Sequence, residues 1–530
     1  MSGTDTAVEE REATASRSSG TASNLVVKIV IVGLIDALLI MAIARSVSFE
    51  WWLAVGFFAF ALIAVNVVYF SGRTMPFKYL LPGLLFLIVF QVYTMFFTAY
   101  ASLTNYGTGH LSDKPSAIIS LQEASVTPVE GAPPYTVAPV VQDGTVSMVI
   151  VDPTTGEVSV GTDEGLTALS DADVQREGDQ VVSVNGYEVL NLATLSANPE
   201  YKDQWDALQV PLDEAAGTYL RPISITKATP ARAGLVYDEA QDAMVNTATG
   251  VVYPADGSVG NFISAEGEVL FPGWRVTIGV DNYTALLQDP TLRNRFLPIT
   301  GWTFFFAIGT TFLNFALGLT LAMVLSERRM RGQGIYRLLL IVPYGLPVIL
   351  TALVWKGLLN TDFGLINQII GQDVPWLTET WLARFSVLAV NLWLGFPYFL
   401  VVCSGALTAI PGDLKEAAYV DGASGRYAFR TVVLPLLLVA TAPLLVTTFA
   451  FNFNNYTLIE LLTGGGPYPG TALEGGSTDL LINYTFRKAF NDSNQQLGLA
   501  SAIAMVIFLI VGAVSAYGFR LTKRLEEIQT

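Results

Sequence analysis

The hydrophobic pattern divides the chain into three stretches. Apolar runs of bilayer-crossing length, which takes about 20 residues, stand at Leu25–Ala44, Trp51–Phe70 and Tyr79–Leu103. From Thr104 to Arg295 no run is long enough. Five more follow at Phe296–Leu325, Tyr336–Leu359, Ser386–Leu407, Val432–Glu460 and Leu497–Phe519. Several exceed the minimum, so tilt or irregular ends are expected. Within the middle stretch the period changes. Thr145–Val149 and Glu157–Val160 alternate apolar and polar residues, and Gln180–Val184 does so loosely, which reads as short strands. Turn signals recur at Asp143-Gly144, Thr155-Gly156, Asn185-Gly186 and Asp256-Gly257. The expected fold is an α-helical polytopic membrane protein of eight transmembrane helices, interrupted by a β-rich domain large enough for its own core.

The expected divisions are a disordered tail at 1–23, three helices in 24–103, the β-rich domain at 104–295, a five-helix body at 296–520 and a short tail at 521–530. The tail at 1–23 is polar and rich in Ser, Thr, Glu and Ala. The first apolar run begins too late and is too long for a cleavable signal, and a second run soon follows.

Composition sharpens this picture. Of 530 residues, 52% are hydrophobic and 14% charged, against about 25% charged in ordinary soluble domains. Mean hydropathy is +0.48. The net charge of −16 is uneven: residues 104–295 hold 26 acidic and 9 basic residues, a net −17, and the remainder nets +1. Such acidity argues against nucleic-acid binding. Cys403 and His110 are the sole residues of their kinds, which excludes an intrachain disulfide and a multi-His metal site. His110 reads as a solvated loop residue, and no Ser-His-Asp chemistry is assigned to it.

Basic residues in short loops orient the spans. Arg73 and Lys78, then Arg328, Arg329, Arg331 and Arg337, then Lys415, Arg426 and Arg430, then Arg520, Lys523 and Arg524 share one side if both termini are cytoplasmic. The opposite loops hold few bases: Arg45, Lys356, Arg384, Arg487 and Lys488. The acidic domain is then extracytoplasmic, and a polar loop at 408–435 is inside. Lys28 can snorkel at the end of the first span. Asp36, near mid-span, is either a functional intramembrane acid or a group satisfied by a neighbouring helix; the second reading is favoured.

The polar loop is Glu416-Ala417-Ala418-Tyr419-Val420-Asp421-Gly422, with Val432-Val433-Leu434-Pro435 beyond it. Pro411 and Gly412 close the preceding span. Asp413 is the expected helix N-cap with Glu416 at capping-box spacing, and Gly422 is the expected stop. Ala417 and Ala418 leave a low surface. By residue chemistry alone this is either an interfacial amphipathic helix without a partner or a lever on which another protein docks.

Two clusters set polar groups inside the spans, where unpartnered polarity is penalised. One runs from Asn391 to Tyr398 and includes Gly395 and Pro397, which are expected to loosen the helix. The other runs from Thr448 to Tyr456 and holds Asn452, Asn454 and Asn455 among aromatics. Pro343-Tyr344-Gly345-Leu346-Pro347 is a third break. Amides beside flat aromatic faces suit a neutral polyol such as a sugar. The alternative is that Asn and Gly are helix-packing contacts. No G-x-x-x-x-G-K-[ST] loop occurs, so a separate subunit must supply any ATP site of that kind.

The E-A-A, three residues, G spacing continuing to Leu434-Pro435 resembles the coupling loop of ABC importer permeases, with Val432 where Ile is usual. From Phe296 to Arg520 the chain resembles the larger, MalF-type permease of maltose importers. The matching stretches include Leu339–Tyr344, Asp362–Asn367, Trp393–Tyr398, Phe449–Asn455, Gly464–Pro467 and Thr478–Thr485. The outer domain matches weakly, except near Phe271-Pro272-Gly273-Trp274.

The resemblance implies a MetI-like permease core in the cytoplasmic (inner) membrane. It also implies ATP-driven import of a di- or oligosaccharide such as maltose, maltodextrin or a trehalose-like sugar. The chain itself would not be an enzyme and would hold no cofactor. Implied partners are a MalG-like second permease, two ABC ATPase subunits that bind ATP, an extracytoplasmic sugar-binding protein capped by the outer domain, the sugar and membrane lipid. The implied sugar site is Tyr344, Asn391, Leu394, Gly395, Tyr398, Thr448, Phe451, Asn452 and Asn455. Val348 and Thr448 each stand where the maltose permease has a serine. Implied ATPase-coupling residues are Asp413, Glu416, Ala417, Ala418, Asp421 and Gly422. Two other classes remain open: a membrane-anchored ligand sensor or scaffold without transport, and an ion- or proton-driven carrier, for which Asp36 is thin support.

Overall fold

The computed structural model describes residues 5–71, 75–129, 131–170, 173–177, 180–213, 218–326, 330–469, 475–491 and 494–527. Arg73, Arg328 and Arg329, used above for topology, lie outside the described residues, as do 1–4 and 528–530 of the two expected tails. The chain forms two compact units, Met1–Tyr100 and Ala101–Thr530. Among the described residues seven helices are long and apolar enough to cross a membrane, eight if the bent helix pair at Gln333–Gly345 and Val348–Leu358 counts as one span.

In the first unit the helix Asp5–Ser48 contains the first apolar run. Where a disordered tail was expected the chain is helical from Asp5, in keeping with the helix-favouring Ala, Glu and Arg of this stretch. The helix Trp52–Phe70 follows, and then a helix from Met75 containing Pro82. Asn66 Nδ2 donates to Asp36 Oδ1 at 2.8 Å, so a neighbouring helix satisfies the intramembrane acid. Lys28 Nζ sits 4.8 Å from the centre of the Phe70 ring.

The second unit begins with the outer domain. Its largest sheet has nine strands and is built around the hairpin Tyr135–Gln142 and Thr145–Val151. Asp143 and Gly144 make the tight turn, both at positive φ (50° and 84°), as a type I′ hairpin requires. Val158–Thr162 and Gly165–Ala168 extend one side; Lys227–Arg232, Thr218–Pro222 and Val210–Asp213 extend the other. A four-stranded sheet, Leu235–Asp238, Ala243–Asn246, Val252–Asp256 and Asn261–Phe262, and a two-stranded ribbon, Val174–Glu177 with Gln180–Val184, complete it. Met148, Val210, Leu220 and Trp205 centre the core of the large sheet. His110 is half-buried, its Nε2 2.7 Å from Asn261 Oδ1, rather than solvated, because its loop packs under the four-stranded sheet.

Backbone hydrogen bonds tie the domain's stem to the start of the last span: Thr108 N donates to Gln495 O at 2.9 Å, and Gly498 N to Tyr106 O at 2.7 Å. The fourth span, Pro290–Val324, lies at the centre of the helical body. Phe296 and Ile299 pack with the seventh and eighth spans, Trp302 and Phe306 with the fifth and sixth, and Phe315 and Leu319 with the sixth and seventh. The sixth span is Thr380–Ala409, the seventh Gly425–Phe453 and the eighth Leu497–Lys523.

Two expected spans are corrected. The fifth is no straight crossing: Gln333–Gly345 and Val348–Leu358 meet at 97°. Pro343 and Pro347 supply no N–H to a helix, and Leu346, preceding a proline, is extended at ψ 134°. The seventh ends at Phe453 instead of Glu460, because Asn454 and Asn455 leave helical geometry before a short helix, Tyr456–Leu462.

Candidate solute cavity and coupling helix

The break in the fifth span opens the space that the two asparagine-bearing clusters face. A cavity of about 720 Å³ is lined by the turn Pro343–Ile349, the middle of the sixth span, the end of the seventh and the start of the helix Tyr456–Leu462. That volume falls within the roughly 300–1,000 Å³ usual for small-ligand sites. All nine residues named from the sequence (Tyr344, Asn391, Leu394, Gly395, Tyr398, Thr448, Phe451, Asn452 and Asn455) line it, as does Val348.

Their environments differ. Tyr344 and Phe451 are 60% and 67% exposed. The Tyr344 and Tyr398 rings stack at 6.2 Å between centres. Thr448 Oγ1 donates to Leu444 O at 2.8 Å, so its hydroxyl is held by its own helix. Asn391 and Asn452 are buried and joined: Asn391 Nδ2 donates to Asn452 Oδ1 at 3.1 Å, and Asn452 Nδ2 to Thr311 Oγ1 at 3.4 Å. The amides that line the cavity thus also join the fourth, sixth and seventh spans.

The sixth span runs unbroken through Gly395 and Pro397, against the expected loosening. Gly395 serves close packing instead: a Cβ there would lie 2.3 Å from Asn314 Nδ2. Asn314, which the sequence reading did not single out, also lines the cavity and donates from Nδ2 to Asn391 Oδ1 at 3.2 Å. Its signal was one amide in the apolar run of the fourth span.

A loop at the outer-domain end fixes the helix starts. Trp302 Nε1 donates to Thr478 O at 3.1 Å, and Arg384 Nε to Ser477 O at 2.9 Å. Arg487 clamps this loop, its Nη2 lying 2.6 Å from Asp479 Oδ1, 3.1 Å from Glu460 Oε2 and 2.8 Å from Gly464 O. Burial pushes the Asp479 carboxyl up, against the pull of Arg487. Burial also opposes the Arg487 charge, but the hydrogen bond and charge of Asp479 outweigh it and raise the guanidinium pKa.

From there the 30-residue sixth span runs about 45 Å at 1.5 Å per residue to the polar loop at the other end. The helix there is Gly412–Val420. Its N-cap is Pro411, with no side-chain cap hydrogen bond, so the expected Asp413–Glu416 capping box does not form. Pro411 is extended at ψ 132° and starts the helix two residues before Asp413, whose carboxylate then sits in the first turn near the positive helix end. The stop is as expected. Gly422 has φ 83°, Ala423 N donates to Ala418 O at 2.9 Å and Gly422 N to Tyr419 O at 3.0 Å, a Schellman closure. Glu416, Ala417, Tyr419, Val420 and Asp421 are exposed, and Val420 is 86% so.

Two family models match the chain: the N-terminal region of the transmembrane subunit in binding-protein-dependent ABC transporters over residues 85–164, and the binding-protein-dependent transport system inner membrane component over 297–521. The maltose/maltodextrin transport system permease protein MalF of Vibrio vulnificus (strain YJ016) is 35% identical over 488 residues, 88% of this chain and 90% of that protein. The protein of the same description from Photorhabdus laumondii subsp. laumondii is 33% identical over 514 residues, 92% of this chain and 97% of its own length. Among solved structures, a bacterial alginate ABC transporter in complex with an alginate pentasaccharide-bound periplasmic protein aligns at 20% identity and a TM-score of 0.40, over 47% of this chain and 84% of that one. The chain belongs to the inner-membrane components of binding-protein-dependent transport systems, as a multi-pass permease subunit of the MalF type.

Proposed function

We propose that this permease forms the sugar path of an ATP-driven importer and holds a di- or oligosaccharide in the cavity behind the broken fifth span. The observation that carries the reading is the convergence of all nine sequence-chosen residues on that one cavity. Exposed aromatic faces at Tyr344 and Phe451 suit the C–H faces of a sugar ring, and amide groups suit its hydroxyls. The cavity wall carries no Asp, Glu, Lys or Arg among the described residues, which favours a neutral solute. Val348 leaves one hydroxyl fewer than a serine would, so the preferred sugar can differ from maltose.

In this reading a MalG-like permease completes the path, an extracytoplasmic binding protein delivers the sugar beside the outer domain, and two ATPase subunits dock on Gly412–Val420. Both termini are cytoplasmic. Closure of the ATPases moves that helix, and the spans above it expose the cavity to each side in turn. The chain makes and breaks no covalent bond. The test is uptake by the whole assembly in proteoliposomes, with labelled maltose competed by maltodextrin and trehalose. ATP-dependent, saturable uptake supports the reading. Stable copurification without an ATPase, or ligand binding without flux, would point to a sensor or scaffold and end it.

A further inference from the structure

We infer that Asn314 is a positioning residue for the cavity: it occupies Asn391 Oδ1 at the end of an amide series whose order of donors and acceptors runs from Thr311, and so helps set which sugar the wall accepts. This rests on the sugar-path reading above. Asn314 is 2% exposed. Its Nδ2 donates to Asn391 Oδ1, while its Oδ1 has no hydrogen-bond partner among the described residues. A buried unpaired amide oxygen is destabilising, so packing alone would be better served by a leucine of similar volume. Backbone room for the amide is made on the facing helix, where a Cβ on Gly395 would lie 2.3 Å from Asn314 Nδ2 and 2.9 Å from its Oδ1.

The consequence lies one residue further on. An asparagine amide can rotate and exchange its oxygen for its nitrogen. Because Asn314 donates to Asn391 Oδ1, a rotated Asn391 would set two N–H groups against each other. Asn391 is therefore held with its nitrogen toward Asn452, which is held in turn with its nitrogen toward Thr311. Thr311 closes the series by donating to Ala307 O at 2.7 Å. The direction of the series is set at Thr311, whose only proton goes to Ala307 O, and Asn314 closes the other end by occupying Asn391 Oδ1, so that oxygen is already engaged when a hydroxyl binds.

The test uses the complete importer in nanodiscs with Asn314→Leu, reading the thermal midpoint and the affinities of maltose, trehalose and a set of singly deoxygenated maltoses. The expected result is a midpoint nearly unchanged, because removing the unpaired Asn314 oxygen offsets the stranding of Asn391 Oδ1, an affinity for the transported sugar about tenfold weaker, and a flattened ranking among the deoxy analogues. Asn391→Leu should give the same flattening, and the double variant should be no worse than Asn391→Leu alone. A lowered midpoint with the ranking intact would make Asn314 a packing residue and overturn the inference. Additive losses in the double variant would overturn the route through Asn391. A wild-type assembly that binds none of these sugars would overturn the sugar reading itself and this role with it.

Discussion

At the scale of single residues, exposure separates two kinds of cavity side chain. Phe451 is 67% exposed and contributes little to the fold, so Phe451→Ala should leave the thermal midpoint of the assembly almost unchanged. It should weaken sugar affinity roughly fivefold, about 1 kcal/mol, the size of one aromatic face contact; isothermal titration against the wild type checks this. Asn452 behaves oppositely. It is 2% exposed and bonded on both sides, so Asn452→Ala strands the Asn391 amide and should cost about 1–3 kcal/mol of stability. Calorimetry should show a lowered midpoint even without sugar. The residues alone marked the two amide-bearing clusters and the Pro343–Pro347 break, because amides, Gly and Pro are rare inside apolar runs; the choice of nine positions within them came from the resemblance to maltose permeases. Asn314 was not marked, since a single intramembrane amide reads equally well as a packing contact. Its register against Gly395, 81 positions away in the chain, is a tertiary fact that no local pattern carries.

At the scale of elements, local chemistry predicted where helices break better than how they begin. The Pro343–Pro347 turn and the Gly422 stop follow from backbone rules. The start of the Gly412–Val420 helix did not, because Pro411 and Asp413 both suit a helix start and the chain's path out of the sixth span selects Pro411. Gly422 at φ 83° makes a sharp test. Alanine there costs about 1–2 kcal/mol locally and should fray the Schellman turn. Gly422→Ala should lower sugar-stimulated ATPase activity several-fold while sugar affinity stays intact; equal loss of both would deny the helix a separate coupling role. The Arg487 clamp had no signature in the sequence, since its partners Asp479 and Glu460 lie 8 and 27 residues away. Arg487→Leu leaves Asp479, fully buried and already disfavoured as an anion, without its cation. Removing one member of a buried pair costs about 3–5 kcal/mol, so the thermal midpoint should fall sharply, and Asp479→Leu in the same chain should recover part of it.

At the scale of the whole molecule, the charge of the chain is concentrated in the outer domain, where residues 104–295 carry −17, and two acid effects of opposite sign compete there. The first is local. Hydrogen bonds hold Asp113 (from Ser116), Asp152 (from the Thr155 and Thr154 backbone), Asp242 (from Lys114 and Tyr237) and Asp256 (from Ser258) below the ordinary carboxylate value of 3.8. A carboxylate with a depressed folded pKa contributes stability that is fully present above its unfolded value and is lost as pH falls through the folded value. All four therefore destabilise the domain on acidification below 3.8. The second effect is collective: like charges repel in the compact state, and this repulsion is relieved as acidification lowers the domain's net negative charge. Salt separates the two, because the screening length shrinks from about 30 Å at 0.01 M to about 3 Å at 1 M, while contacts within hydrogen-bonding distance persist. At low salt the outer domain's unfolding midpoint should rise modestly from pH 7 to about pH 5 and then fall below the ordinary value. At 1 M salt the rise should vanish and the fall remain. Scanning calorimetry of the full chain in detergent reads both limbs, and an Asp152→Asn, Asp242→Asn double variant should flatten the acid limb alone. An acid limb that disappears with salt, or survives unchanged in that variant, would mean that net charge and not these four hydrogen-bonded aspartates governs the domain's acid stability.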